Sequence, residues 1–308
     1  MEILNLGKVA IVGAGALGGY YGAKLAKAGA DVYFLARSDF EVLRTRGLEV
    51  RSGDETFLQP VQVAAHPSDI GPCDWVIVAL KTTSNAALDT LIPPLLHDGT
   101  NLVTLQNGLG NEEYLADRFG AERVLGGLCF VCINRIAPGV LEHYGHGTLS
   151  LGEFGRAAQD RTRALVAAFA ASGIETRCVD HLAEERWRKL VWNIPFNGLS
   201  IAAGGVDCGS ILANPALEQE VRELMRETIH AANAQGFPVP ADYEEFQMQR
   251  TYPMGAYKPS SMLDFLAGNP VELEAIWGEP LRRAQAVGAG TPRLALLYAL
   301  LTQLVAAK

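Results

Sequence analysis

In the first half of the chain, apolar residues fall in short unbroken runs separated by helical patterns. Lys8-Val9-Ala10-Ile11-Val12 predicts a strand, Ala16 to Ala28 a helix closed by Gly29, and Asp31-Val32-Tyr33-Phe34-Leu35-Ala36 a second strand. Asp74 to Leu80, Asn101 to Leu105 and Gly126 to Ile133 predict further strands. Runs without polar alternation fit parallel strands covered on both faces. Strand, helix, strand in this rhythm predicts a doubly wound α/β sheet. Ala157 to Ser172 reads as a helix, and Thr176-Arg177-Cys178 as the last strand. After Asp180 the period becomes helical, with breaks at Gly204-Gly205, Asn214-Pro215, Gly236 to Pro240 and Tyr257 to Ser261. The expected organisation is a Rossmann-like domain over residues 1–178 followed by an all-helical domain over residues 179–308. Pro195 lies inside a predicted helix, where it removes a backbone bond and should kink the helix near the Val191 carbonyl.

A length of 308 residues suits about two domains, and 49% apolar residues suffice for sizeable cores. The net charge of -8, with no long basic run, excludes nucleic acid and anionic membranes as main partners. The longest apolar stretch, Leu294 to Ala307, is broken by Thr302 and Gln303 and falls short of the ~20 residues of a membrane span. Met1-Glu2-Ile3-Leu4-Asn5 lacks the basic start of a secretion signal, so a cytoplasmic protein is expected. The apolar C-terminal helices pack either internally or across a homodimer. Five cysteines give no disulfide framework in a chain of this length, and Cys129-x-x-Cys132 reads as packing in a buried strand. His143 and His146 flank Tyr144-Gly145, where the glycines argue for a turn; no metal site is expected.

Gly13-Ala14-Gly15-Ala16-Leu17-Gly18 follows a strand and opens a helix, the context in which G-x-G-x-x-G predicts dinucleotide binding. The first glycine permits the turn, the second admits the pyrophosphate, and the third lets helix and strand pack closely. The next strand ends Leu35-Ala36-Arg37-Ser38, offering a guanidinium where NAD sites usually place an acid. Arg37 therefore predicts NADP(H), through its grip on a 2′-phosphate. Asp39 is assigned to the first turn of the next helix, behind a capping box at Ser38-x-x-Glu41. Lys81 and Asn107 end two further strands, at the edge where ligands bind.

Lys189, Asn193 and Asn197 recur every four residues and so share one helix face. One ammonium and two amides in an otherwise apolar, aromatic helix need hydrogen-bond partners. An oxyanion or hydroxyl substrate supplies them. With a dinucleotide site in the same chain, this predicts carbonyl reduction, with Lys189 as proton donor.

These motifs, with Pro259-Ser260-Ser261-Met262-Leu263-Asp264 and Gly268-x-Pro270-x-Glu272-x-Glu274-Ala275-Ile276-x-Gly278, resemble the ketopantoate reductase family nearly end to end. The resemblance implies NADPH-dependent reduction of a small 2-keto acid, ketopantoate, to pantoate. It implies Lys189 as the proton donor, Asn193 and Asn197 as substrate ligands, and Ser261 on the substrate carboxylate. Glu272 would lie near the substrate hydroxyl and the cofactor ribose, and Cys132 near the nicotinamide. Lys258 and Asp207 stand where the family has asparagines, Glu274 replaces an aspartate, and the Ser261–Glu272 segment is one residue short. The competing readings are another 2-keto acid reductase, a 3-hydroxyacid dehydrogenase, or a non-catalytic NADP(H) sensor. The stretch before Lys189, Glu184-Glu185-Arg186-Trp187-Arg188, lacks the glycines usual in 3-hydroxyacid dehydrogenases.

Overall fold

A computed structural model describes residues 6–307. The chain forms two compact units. One comprises the chain up to Gln106 together with Asn111–Leu182; the other comprises Asn107–Gly110 with the chain from Ala183 onward.

The first unit contains strands β1 (Lys8–Val12), β2 (Asp31–Leu35), β3 (Leu48–Ser52), β4 (Glu55–Gln59), β5 (Gln62–Ala64), β6 (Trp75–Val78), β7 (Asn101–Thr104), β8 (Val124–Ala137), β9 (Val140–Glu153) and β10 (Thr176–Cys178). Its helices are α1 (Ala16–Lys27), α2 (Phe40–Arg46), α3 (Pro67–Ile70), α4 (Leu88–Leu91), α5 (Asn111–Phe119) and α6 (Asp160–Ala171). Among the described residues the strands form one ten-stranded sheet, ordered β4-β3-β9-β8-β7-β6-β1-β2-β5, with β10 on β9. From β5 to β8 all neighbours are parallel. The chain runs outward from β1 in both directions, which makes the β1–β6 boundary the topological switch point.

Burial follows the pleat. Val9 and Ile11 join a core with Tyr21 and Leu25 of α1. Ala10 and Val12 point to the opposite core, with Leu88 and Leu115. Both faces of β1 are therefore apolar, which is why its sequence shows no alternation. Beyond β8 the sheet becomes mixed, because β8 and β9 form a long antiparallel hairpin. Glu153, at the end of β9, is buried and accepts hydrogen bonds from Arg156, Arg161 and Thr162. Burial pushes its carboxyl up, but these donors outweigh that and hold it below the ordinary range.

His143 and His146 do not sit in a turn. They lie on β9, where register shifts leave Tyr144 and Gly147 unpaired as bulges and His146 adopts φ 58°. The glycines that suggested a turn supply the bulged backbone instead. His143 is hydrogen-bonded to Ser52 Oγ at 2.8 Å and stacks on Tyr20.

The second unit is helical: α7 (Leu182–Ala202), α8 (Cys208–Leu212), α9 (Pro215–Ala234), α10 (Tyr243–Thr251), α11 (Ser260–Leu266), α12 (Glu279–Ala286) and α13 (Pro292–Ala306), with a π-helical turn over Glu274–Gly278. The helix α7 runs continuously through Pro195. Trp187, Leu190, Val191, Ile194 and Phe196 of α7 are at most 1% exposed and form the centre of this core. The indole of Trp277 donates to the Ile194 carbonyl at 3.0 Å. Gly198 makes that approach feasible, since a Cβ there would lie 2.9 Å from the Trp277 nitrogen.

Candidate active site

The three glycines after β1 do three different jobs. Gly13 has φ +107°, and a side chain there would strike the Leu80 backbone just beyond β6. A Cβ on Gly18 would lie 2.1 Å from the Gly13 carbonyl, so only glycine lets α1 seat against the turn. A Cβ on Gly15 would meet nothing within 4 Å, which leaves open space at the helix start. No side chain caps α1 and no acid occupies its first turn. Its free N–H groups and positive dipole end therefore suit a phosphate. Ala14, Ala16 and Leu17 line the same turn, partly exposed. Lys81, partly exposed, follows β6 at the adjoining strand edge.

Arg37 follows β2 and is exposed; its guanidinium makes no hydrogen bond or ion pair among the described residues. Asp39 does not behave as the capping-box reading expects. It stands at the N-cap of α2 with no side-chain cap bond. It is 4% exposed, and its carboxylate accepts both Nε (2.8 Å) and Nη2 of Arg135, from β8. It also accepts the Gly139 N–H at 3.1 Å and the Ser38 hydroxyl at 2.9 Å. Ser38 and Glu41 form no capping box: α2 begins at Phe40, with Asp39 at its N-cap, the Ser38 hydroxyl donates to Asp39, and the Glu41 carboxylate pairs with Arg44 at 2.7 Å. Cys132 lies mid-strand on β8, partly exposed.

In the second unit, Lys189 Nζ donates to Asn107 Oδ1 at 2.7 Å. That contact depends on a main-chain device that the sequence pattern did not reveal. In the π-turn the Glu279 N–H bonds to the Glu274 carbonyl. The next partner in that register, for the Ala275 carbonyl, would be the nitrogen of Pro280, which has no hydrogen. The Ala275 carbonyl instead accepts the Leu109 N–H at 2.9 Å. Gly108, at φ +82°, fits this approach because a Cβ would lie 2.2 Å from that carbonyl. The loop Asn107–Gly110 is thus pinned to the π-turn, with the Asn107 side-chain oxygen on the lysine.

Farther along the stripe, Asn197 is 2% exposed and largely committed to the protein. Its Nδ2 donates to the Asn193 carbonyl at 3.1 Å, and its Oδ1 accepts the Ser261 N–H at 3.0 Å. The Asn193 side-chain amide and the Ser261 hydroxyl make no hydrogen bond among the described residues, although both residues are buried. Lys189 with Asn107, and Asn193 with Asn197 and Ser261, therefore form two hydrogen-bonded polar groups on an apolar core. Glu272 is partly buried just before the π-turn. Glu274 is exposed and bonded to Arg282 and Tyr298. Asp207 caps α8 by accepting the Ser210 N–H at 2.8 Å, which gives that departure from the family pattern a structural role.

Residues 9–156 match the profile "Ketopantoate reductase PanE/ApbA", and residues 181–305 match its C-terminal counterpart. The chain belongs to the ketopantoate reductase family. A 2-dehydropantoate 2-reductase of Nostoc sp. (strain PCC 7120) is 40% identical over 303 residues, covering 96% of this chain and 94% of that protein. The crystal structure of 2-dehydropantoate 2-reductase from Geobacter metallireducens GS-15 superposes with a TM-score of 0.94 at 45% identity, covering 96% and 99% of the two chains. D-mandelate dehydrogenase, solved with NADH and anilino(oxo)acetate, shares the fold at a TM-score of 0.89 but only 20% identity. The chain is thus an oxidoreductase of the nicotinamide-dependent kind. Among the described residues no group of three or more His, Cys, Asp or Glu is placed to hold a metal, and no helix is long and apolar enough to cross a membrane.

Proposed function

We propose that this ketopantoate reductase family member reduces the 2-keto group of ketopantoate to give pantoate, using NADPH, with Lys189 as proton donor. The first unit would hold the dinucleotide at Gly13–Gly18, Arg37, Lys81 and Cys132. The second would carry the substrate ligands and the acid, with Asn107 serving both ligands. The observation that carries the reading is the Lys189–Asn107 bond on a helix face whose next amide, on Asn193, is unfilled by protein.

When bound, the reduced nicotinamide supplies the hydride. Negative charge that develops on the keto oxygen is stabilised by the Lys189 ammonium, which then releases a proton from Nζ. Asn107 aims that ammonium. The Asn193 amide and the Ser261 hydroxyl offer bonds to the substrate carboxylate and hydroxyl. Asn197 acts mainly by holding the Ser261 backbone. The partly buried Glu272 accepts the substrate hydroxyl. The exposed Arg37 favours the 2′-phosphate of NADPH. All five cysteines are free thiols, in keeping with a cytoplasmic enzyme.

The test is consumption of NADPH or NADH with ketopantoate, with a 2-keto acid lacking the hydroxyl, and with 3-hydroxy acids in reverse. Efficient reduction of ketopantoate by NADPH, at least roughly tenfold better than by NADH, is expected. Turnover of 3-hydroxy acids alone would assign a different dehydrogenase, and binding without turnover would assign a sensor. Glu272→Ala should depress kcat/KM far more for ketopantoate than for the acid lacking the hydroxyl. Greater damage from Glu274→Ala would move the substrate hydroxyl elsewhere.

A further inference from the structure

The buried Asp39 carboxylate is the feature of the nucleotide unit that glycine spacing and Arg37 leave unexplained. It lies two residues beyond Arg37, at the start of α2. An acid in this loop is what an NAD site uses to hold ribose hydroxyls, and its charge opposes a 2′-phosphate. Here Arg135 grips it with two guanidinium nitrogens, and Gly139 and Ser38 fill further lone pairs. The carboxylate side chain is 5% exposed, whereas that of Arg135 is 37% exposed. A carboxylate so enclosed can neither reach a ribose nor pair with Arg37. The pairing is long-range, joining the tip of the β8–β9 hairpin to the loop after β2.

We propose that Arg135 is a specificity-positioning residue: by neutralising and sequestering Asp39, it leaves Arg37 free to take the 2′-phosphate and so sets the preference for NADPH. This rests on the NADPH reading above. Without Arg135, the carboxylate would turn toward Arg37 or meet the phosphate with like charge. Either outcome weakens the phosphorylated dinucleotide and spares the other.

Direct titration of the full-length protein with NADP+ and NAD+, followed by calorimetry, tests this without turnover. Arg135→Met, which keeps much of the side-chain stem, should weaken NADP+ by roughly tenfold or more and shift NAD+ by less than about threefold. Adding Asp39→Asn to that variant should restore most of the NADP+ affinity, because no charge remains to be masked. Asp39→Asn alone keeps the shape of the site and should hold or raise NADP+ affinity. Equal loss of both dinucleotides in Arg135→Met, with no recovery in the double variant, would reduce the pair to a strut and overturn the proposal. Selective NADP+ loss that the double variant fails to restore would make Arg135 a direct phosphate ligand, which also overturns it. If the parent binds both dinucleotides equally, or Arg37→Ala weakens them equally, the NADPH reading itself fails, a result distinct from failure of the Arg135 step alone.

Discussion

The turn after β1 and the face of α7 are prepared for their ligands by opposite means. The turn uses main chain: absent side chains at Gly13, Gly15 and Gly18 shape it, and the uncapped start of α1 supplies the donors. The α7 face uses side chains, and each is held by a segment remote in sequence: Lys189 by Asn107, Asn197 by the start of α11. A main-chain site tolerates change at every position except those where a Cβ intrudes. A side-chain site fails when any one of its supports moves.

The sharpest way to break this contrast is Lys189→Ala. It should lower kcat by roughly 10²–10⁴-fold, the scale of a lost general acid. Dinucleotide affinity, read by nucleotide fluorescence, should persist. A near-normal kcat would remove the lysine from the chemistry.

The main-chain site should split differently. Gly18→Ala forces a Cβ onto the Gly13 carbonyl and should cost roughly 3 kcal/mol of stability, at the upper end of overpacking strain. Gly15→Ala fills only open space, so its melting temperature should stay near that of the parent while dinucleotide affinity drops. Thermal melts beside titrations check both: equal destabilisation would deny that the space at Gly15 is open, and unchanged affinity in Gly15→Ala would deny it a binding role.

A stability change away from either site provides the control. Glu153 has its carboxyl held below its ordinary 4.5 by Arg161, Thr162 and Arg156 despite burial. Its folded pKa is depressed, so its contribution is present above about pH 4.5 and is lost as pH falls through the folded value. Glu153→Gln should lower stability at neutral pH by about 3 kcal/mol, the low end for breaking a buried pair, since the arginines retain some water. The deficit should shrink below pH 4.5, as followed by chemical denaturation at several pH values. A constant deficit would deny the linkage.

The smallest expected effect is also the most specific. Pro280→Ala restores a backbone N–H within reach of the Ala275 carbonyl, in competition with Leu109. Loosening the loop that carries Asn107 should lower kcat by roughly tenfold, the cost of slight misplacement. Most dinucleotide affinity should persist, because Gly13–Gly18 and Arg37 are untouched and only the Asn107 contact loosens. An unaltered kcat would make the π-turn incidental to the site.

Legibility in the sequence divides along the same line. The parallel strands, the glycine turn and the lysine stripe are visible because each is a local pattern: an apolar run, a fixed spacing, a helical repeat. Ser38-x-x-Glu41 misleads because its spacing is right for a cap, yet the helix starts one residue later and Glu41 turns to Arg44; the partner that claims Asp39, Arg135, lies about a hundred residues away. The His143–His146 segment misleads because glycines mark bulges as readily as turns. The stripe implies that both asparagines await a ligand, yet Asn197 is mostly satisfied by Ser261 and Asn193. Nothing local announces that satisfaction. Pro280 is the one local trace of the π-turn, and its meaning emerges only with Leu109 in place.

The loop Asn107–Gly110 carries a consequence for recombination between relatives. In chain order it falls among the strands of the first unit, but its contacts place it with the helices of the second. No single crossover therefore exchanges one intact unit for another. A chimera joined near Leu182 would inherit its lysine from one parent and the amide that aims it from the other. Exchanges between family members should succeed only when these four residues travel with the helices, or when both parents carry interchangeable versions of them.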